Sequence, residues 1–366
     1  MKLVCEGLDL SEAVLRVSKG TSNKTTNPIL EGIKLVAEED YLVLRATDEV
    51  LSIEKKIKAD VKIEGETVVP GRFFSEYTRK LTNEQIELTL TDKNVLNIKY
   101  TDSLGTIQCL NPMEFPNQKE IDNENYFEIK KIDLKNLINK SIFAVAQDDI
   151  RPILKGCLIE VKGSQVKAVA LDGFRIAVVA RPVVAKTNDF RVTVPARSLS
   201  EISKLLDDSE DVVRVYVSKN YIMLDLEDTK ISSRLLDGEF INYEQIFPTN
   251  FTTVVTINKS QLEDALDRAA LLSRIDRNNL VRFEITDKVM LLTSKSEIGD
   301  IRENITIALH GNDLNISFNA RYFTEAMRAT TDEFIKINFT TPIAPCVITG
   351  TENSDYSYLI LPVRSL

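Results

Sequence analysis

The chain repeats itself at domain scale. Pro28-Ile29-Leu30-Glu31-Gly32 returns 124 residues later as Pro152-Ile153-Leu154-Lys155-Gly156. Val68-Val69-Pro70-Gly71-Arg72-Phe73-Phe74 returns after 125 residues as Thr193-Val194-Pro195-Ala196-Arg197-Ser198-Leu199. A more diverged third version follows 124 residues on, as Ser317-Phe318-Asn319-Ala320-Arg321-Tyr322-Phe323. Such a period is far too long for a solenoid and matches one ordinary domain. The expected organisation is one domain written three times, over residues 1–122, 123–250 and 251–366.

Each copy opens on an amphipathic helix. Its apolar face is Leu10, Val14, Leu15 and Val17 in copy one, and Leu134, Leu137, Ile138, Ile142 and Phe143 in copy two. In copy three it is Leu262, Leu266, Ala269 and Leu272. Spacings of three and four put these residues on one side of a helix. Ser11, Asp133 and Ser260 stand near where N-caps belong. Alternating stretches such as Tyr41–Ala46, Val166–Ala170 and Val281–Ile285 read as strands. A second helix is expected just after Pro70, Pro195 and Asn319. Copies one and two close alike, on Met113-Glu114-Phe115-Pro116 and Gln245-Ile246-Phe247-Pro248. Each copy is therefore α+β, with two helices packed on antiparallel strands. No low-complexity linker separates the copies, so they should be held close together.

Composition excludes several classes. No run of about eighteen apolar residues is present to cross a membrane as a helix. The start, Met1-Lys2-Leu3-Val4-Cys5-Glu6, lacks a signal-peptide core. Cys5, Cys109, Cys157 and Cys346 are scattered in strand-like contexts and read as buried thiols of a reducing, cytoplasmic compartment. With His310 the only histidine, no metal site is expected, and no cofactor. Gly20–Thr25 lacks the second glycine of a phosphate loop, and no serine sits in a nucleophile elbow. Asp148-Asp149 and Asp207-Asp208 read as solvated loop charges. No catalytic residue is assigned.

The net charge of −9 argues against nonspecific nucleic-acid binding as a whole-chain average. The six expected helices nevertheless sum to +6, which leaves −15 for everything else. Amphipathic helices with ordinary charged outer faces would account for this. A basic helical surface presented to a polyanion would account for it too. Sequence-independent duplex binding needs only lysine and arginine against phosphates. The chain has no tryptophan and no aromatic-rich RNA-binding motif.

Ordered motifs across the whole length resemble one family, the beta subunit of bacterial DNA polymerase III, the replicative sliding clamp. They are Pro28-Ile29-Leu30, Ala46-Thr47-Asp48, Val69-Pro70, Pro152–Gly156, Leu171-Asp172-Gly173-Phe174-Arg175, Leu236-Asp237-Gly238-Glu239-Phe240 and Leu361-Pro362-Val363-Arg364. The resemblance implies a ring-forming fold, in which a head-to-tail homodimer surrounds duplex DNA with its helices. It implies a non-catalytic processivity factor. Its partners would be the polymerase III alpha subunit, the clamp loader and other proteins carrying clamp-binding peptides. It also implies a hydrophobic peptide cleft at Leu154, Leu171, Gly173, Phe174, Arg175, Ile176, Ile241, Gln245 and Ile246. Ile343, Pro345, Leu359, Leu361, Pro362 and Val363 would complete that cleft, with Arg175 at its rim. Ile107, on an edge strand, would meet Leu271 and Leu272 across the dimer interface. Lys24 matches a basic loop position facing DNA, and Arg72, Arg79, Arg197 and Lys204 join it from their helix positions.

The chain departs from the family pattern in places. Phe174 replaces a frequent histidine, Ile241 and Gln245 replace a proline and an arginine, and the tail is one residue longer. Two other classes stand beside the clamp reading: an interaction scaffold without DNA function, and an enzyme with a site built from Asp172, Arg175 and Tyr358.

Overall fold

The computed structural model describes residues 1–22, 25–81, 84–117, 125–273, 279–351 and 355–364. Six helices occur there, two to a copy. They are Gly7–Val17 (α1) and Gly71–Thr78 (α2), Lys131–Asn139 (α3) and Ala196–Leu205 (α4), and Lys259–Ser273 (α5) and Ala320–Ala329 (α6). The first helix of each copy follows directly on a strand, Lys2–Glu6, Tyr126–Lys130 or Thr253–Asn258. The second begins immediately after Pro70, Pro195 or Asn319, as expected. Strand pairing among the described residues is antiparallel. The strands form sheets of five, nine and twelve.

The compact units do not follow the repeat. One comprises residues 1–131, 184–188 and 204–235, the other residues 132–183, 189–203 and 236–366. The sheets explain this, because each unit contains a ladder that crosses a copy boundary. In the first unit, Thr229–Arg234 of copy two pairs with Leu51–Lys58 of copy one, with Ile231 opposite Ile53. In the second unit, Arg175–Pro182 of copy two pairs with Tyr356–Ile360 of copy three, with Ile176 opposite Leu359. Copy two is thereby divided between the units.

Helix starts differ from the sequence expectation. Because strand runs straight into helix, the last strand residue takes the cap position, and Ser11, Asp133 and Ser260 all lie inside helices. Asn258 Oδ1 accepts from Gln261 N at 3.1 Å, and Asn319 Oδ1 from Arg321 N at 3.0 Å. Helix α1 begins at Gly7, whose amide donates to Glu84 O at 2.8 Å. A Cβ there would lie 1.9 Å from Leu81 O, so only glycine permits this approach. Leu15 was expected on the buried face of α1. It is 43% exposed, and Ala13 is buried beside Leu10, Val14 and Val17 instead.

Helix α3 is shorter than its apolar pattern suggests. Ser141 Oγ donates to Leu137 O at 2.8 Å and its amide bonds to Ile138 O at 3.0 Å. That tightening ends the α-helix at Asn139, and Ile142–Ala144 continues as a 3₁₀ turn.

The core of copy three is built on aromatic contacts. Phe318 and Phe323 approach edge-to-face at 4.7 Å between ring centroids, and Phe283 meets Phe323 at 5.0 Å. All three rings are fully buried. The four cysteines are buried free thiols. Burial pushes Cys5, with Asp9 and Glu6 adding to the effect, and Cys157 up to about 12.

Two outcomes follow. Phe323→Ala removes the centre of the aromatic cluster and should cost about 3–5 kcal/mol, read as a lower urea midpoint for the second unit's transition. At pH 8 a thiol reagent such as dithionitrobenzoate should react slowly with all four cysteines in the native protein and quickly in denaturant. Rapid native reaction of Cys5 or Cys157 would contradict their burial.

Candidate functional site

The second unit contains a continuous apolar cluster where the resemblance implies the floor of a peptide cleft. Leu154, Leu171, Ile176 and Leu359 belong to it and are almost fully buried, with Leu158, Val169, Phe240, Tyr243 and Val347. Ile241, Phe247 and Leu361 pack against it, half-buried. Other residues of the expected cleft are large apolar side chains in solvent: Phe174 is 57% exposed and Ile343 70%, and Ile246 is exposed as well. Gln245 is exposed, while Pro345, Pro362 and Val363 are half-buried. Large apolar side chains left exposed near a buried apolar cluster are a feature of surfaces that take part in binding.

A tight turn positions the wall. Asp172 Oδ1 accepts from the amides of Phe174 at 2.9 Å and Arg175 at 3.0 Å, an Asx turn. Gly173 completes the turn at φ +90°, and a Cβ there would meet nothing within 4 Å, so the space beside it is open. The C-terminal segment then closes on the turn. Leu361 N donates to Phe174 O at 2.9 Å and Val363 N to Ser317 O at 2.8 Å. The Phe174 ring stacks on Tyr322 at 6.0 Å.

Arg175 is not the rim charge expected from the sequence. It is 3% exposed, and its guanidinium is fully engaged. Nε donates to Asp172 Oδ2 at 3.1 Å, Nη2 to Phe143 O at 2.7 Å, and Nη1 to Glu325 Oε2 of α6. Its guanidinium lies over the rings of Tyr322 at 4.7 Å and Phe143 at 5.3 Å. A buried cation must be paired, so Arg175 organises the wall from beneath. Asp172 is consumed in the same network, and the Tyr358 hydroxyl is buried beside Phe143. That geometry argues against the three acting as a solvent-facing catalytic set.

Glu325 and Tyr243 were missed by sequence reasoning, and Phe143 and Tyr322 were named there only for helix and repeat patterns, since tertiary packing alone brings Phe143, Tyr322 and Glu325 to the turn and Tyr243 into the floor. Phe240 and Phe247 lay within quoted motifs but were not singled out.

The helical charges are largely paired. Lys131 bonds Asp211 at 3.1 Å and Asp207 at 3.3 Å, and Lys140 is buried beneath Tyr356, 3.9 Å from Asp355. Arg321 bonds Glu325 at 2.7 Å and Arg328 bonds Asp267 at 3.1 Å. Glu325 and Asp267 are themselves helical and already counted in the helix sum of +6, but Asp207, Asp211 and Asp355 lie outside the helices, so that sum overstates the open positive surface at Lys131 and Lys140. Arg72, Arg79, Arg197 and Lys204 are exposed, with Arg72 3.5 Å from Glu76. Lys24 lies outside the described residues. Ile107 does stand on an outermost strand, Ser103–Gln108, but its side chain is buried, and Leu104 is the exposed apolar residue there. Leu271 of α5 is exposed and Leu272 half-buried.

Glu325 supplies a pH test of the wall. Burial raises its pKa, but the hydrogen bond from Arg321 and the charge of Arg175 outweigh this and hold it below the ordinary 4.5. A lowered folded pKa gives stability that is present above the unfolded value and lost as pH falls through the folded one. Glu325→Gln should cost about 2 kcal/mol at pH 7. The gap from the unsubstituted protein should close on acidification from about pH 5 toward 3 in urea titrations. A gap constant with pH would remove the ionised pair from the account.

Comparison with known proteins identifies the family. Profiles of the DNA polymerase III beta subunit match in order: the N-terminal domain over residues 1–119, the central domain over 128–242 and the C-terminal domain over 244–364. The beta sliding clamp of Bacillus subtilis is 32% identical over 377 aligned residues, covering all of both chains. That of Halalkalibacterium halodurans is 31% identical, covering 96% of each. The crystal structure of the Bacillus subtilis DNA polymerase sliding clamp superposes with a TM-score of 0.97 at 31% identity, again over both whole chains. The beta subunit from Streptococcus pyogenes gives 0.96 at 28%. Matched over its whole length and in all three of its repeats, the chain belongs to the DNA polymerase III beta subunit family, the beta sliding clamps.

Proposed function

We propose that this chain is the non-catalytic processivity clamp of a replicative polymerase, working in the cytoplasm as a head-to-tail homodimer around duplex DNA. Full-length similarity to beta sliding clamps carries the reading. The three domains would span residues 1–122, 123–250 and 251–366. Retention on DNA would come from topological linkage, so the contacts themselves need only be weak and screened. Arg72, Arg79, Arg197 and Lys204, with Lys24, would meet phosphates without reading bases. A carboxylate-rich remainder would discourage binding elsewhere.

Two strand edges without a partner among the described residues support the dimer. Ser103–Gln108 is outermost in its sheet. The long strand Gly299–Gly311 pairs on one side through residues 299–306 and on the other only through 307–311, which leaves the outer edge of 299–306 open. Joining one edge to the other between two copies is a heterologous contact that a closed ring requires. Leu104 and Leu271 would be covered on association. The apolar cleft at Phe174 and Ile343 would take a peptide from the polymerase alpha subunit, the clamp loader or other DNA-processing proteins, as a short segment with leucine or phenylalanine anchors.

Light scattering across a dilution series should give twice the 41.3 kDa chain mass. Clamps loaded on nicked circular DNA should be lost when the circle is cut, and retention on linear DNA would refute encirclement. Phe174→Ala with Ile343→Ala should weaken binding of a leucine–phenylalanine peptide by about tenfold or more with little change in melting temperature, because both side chains are exposed. Undiminished binding would move the peptide site elsewhere.

A further inference from the structure

The first unit contains a cavity of about 270 Å³ lined by Thr47, Ser52, Phe115, Tyr221, Ser232 and Arg234, with Lys34 and Arg45 beside them. It occupies the same place in the repeat as the apolar cleft of the second unit. Thr47 lies 124 residues before Leu171, and Ser52 lies 124 before Ile176. The ladders agree: Ser52 stands opposite Ser232, as Ile176 stands opposite Leu359. Arg234, two residues past Ser232, takes the place of Leu361. The turns agree as well. Asp48 Oδ1 accepts from the amides of Val50 at 3.1 Å and Leu51 at 2.7 Å, and Glu49 has φ +71° where Gly173 has +90°.

The backbone is thus repeated while the lining is exchanged. Leucine and isoleucine give way to hydroxyls and a guanidinium, and the surrounding apolar cluster shrinks to Ile29, Leu30, Val68 and Phe115 with Leu110 against it. Hydroxyls and a guanidinium make this lining more polar than the leucine and isoleucine of the second unit. Thr47 Oγ1 and Ser52 Oγ already share a hydrogen bond of 2.7 Å across the cavity wall. Lys34 and Arg45 are held by Glu66 at 2.8 Å and Glu54 at 2.7 Å, carboxylates outside the lining. Arg234 is exposed at the mouth, where its planar fork suits a carboxylate, and the exposed Glu49, which also lines the cavity, opposes it with a single negative charge that can turn to solvent. Phe115 and Pro116 leave an apolar surface beside it.

We infer that this cavity is a second peptide site, selective for an extended segment carrying an acidic side chain next to an aromatic or aliphatic one. The acidic residue meets Arg234 and the hydroxyls, and its neighbour packs on Phe115. That the ligand is a peptide rests on the peptide reading of the apolar cleft. The acidic preference rests on the lining alone.

The test uses the full chain and a labelled acetylated hexapeptide, Gly-Glu-Glu-Phe-Glu-Gly, with benzoylphenylalanine replacing the phenylalanine for cross-linking. Its glutamine counterpart is the control. Binding should fall about tenfold with the glutamine peptide and with Arg234→Ala, and Arg234→Lys should recover part of it. Cross-links should map to residues 47–52, 115–117 or 221–234, and Phe174→Ala with Ile343→Ala should leave binding unchanged. Equal binding of the glutamine peptide, indifference to Arg234→Ala, or cross-links confined to the apolar cleft would overturn the inference. A neutral leucine–phenylalanine peptide run in parallel separates the two readings. If it binds at Phe174 and Ile343 while the acidic peptide does not reach Arg234, only the inference falls. If it fails there, the peptide reading of the apolar cleft falls, and acidic binding mapped to Arg234 still supports the second site.

Discussion

Backbone pairing across the copy boundaries is the constraint on which the rest depends. The ladder of Arg175–Pro182 with Tyr356–Ile360 draws the chain's last strand against its middle. Its registration brings Leu359 beside Ile176 and carries Leu361 over the Asp172 turn. A slip of one residue would turn every side chain of the last strand to the opposite face and dismantle the cleft floor. The backbone bonds from Leu361 and Val363 extend the same registration into the tail. The cleft is therefore a product of sheet geometry first, and side-chain chemistry acts within it.

Charge is managed by the same economy. Some cations that the repeat places on its helices are answered by carboxylates from loops and turns, as with Lys131 and Lys140, and others by carboxylates of the helices themselves, as with Arg321 and Arg328. Arg175 shows the extreme case, where burial demands that every donor of the fork find an oxygen or a ring face. A protein that moves along DNA benefits from this arrangement. A surface of strong unpaired cations would displace many counterions and bind too tightly to slide. Partial neutralisation leaves an attraction that salt can screen.

The repeat and the helix pairs were legible because each has a local signature, whereas the residues of the apolar floor were named only through the family resemblance. Helix starts after Pro70, Pro195 and Asn319 could be read from apolar spacing and turn chemistry alone. The N-caps were misplaced because nothing local announces that a strand enters a helix without a loop. Leu15 lies on the edge of the helical stripe, where spacing cannot separate buried from exposed. Arg175 was expected at the rim as part of the cleft that the family resemblance implies, and charged residues are ordinarily exposed. Only the distant Glu325 and the Phe143 carbonyl reveal otherwise. The division of copy two between the units was likewise invisible, since it follows from pairings between strands far apart in sequence.

Repetition followed by divergence of lining is physically inexpensive in such a fold. The ladder of Ser52 with Ser232 satisfies the same backbone groups as that of Ile176 with Leu359, so the side chains carry little of the job of holding the strands together. They can change from aliphatic to polar while the turn, its aspartate and its positive φ persist. The left-handed residue makes the point. In the second unit it is Gly173, which leaves open space, whereas in the first it is Glu49, which places a carboxylate near the mouth and bonds its amide to Thr47 Oγ1 at 3.0 Å. A glutamate tolerates φ +71° only at some cost in backbone strain. The turn therefore holds its shape without glycine, because Asp48 fixes the following amides in both space and direction.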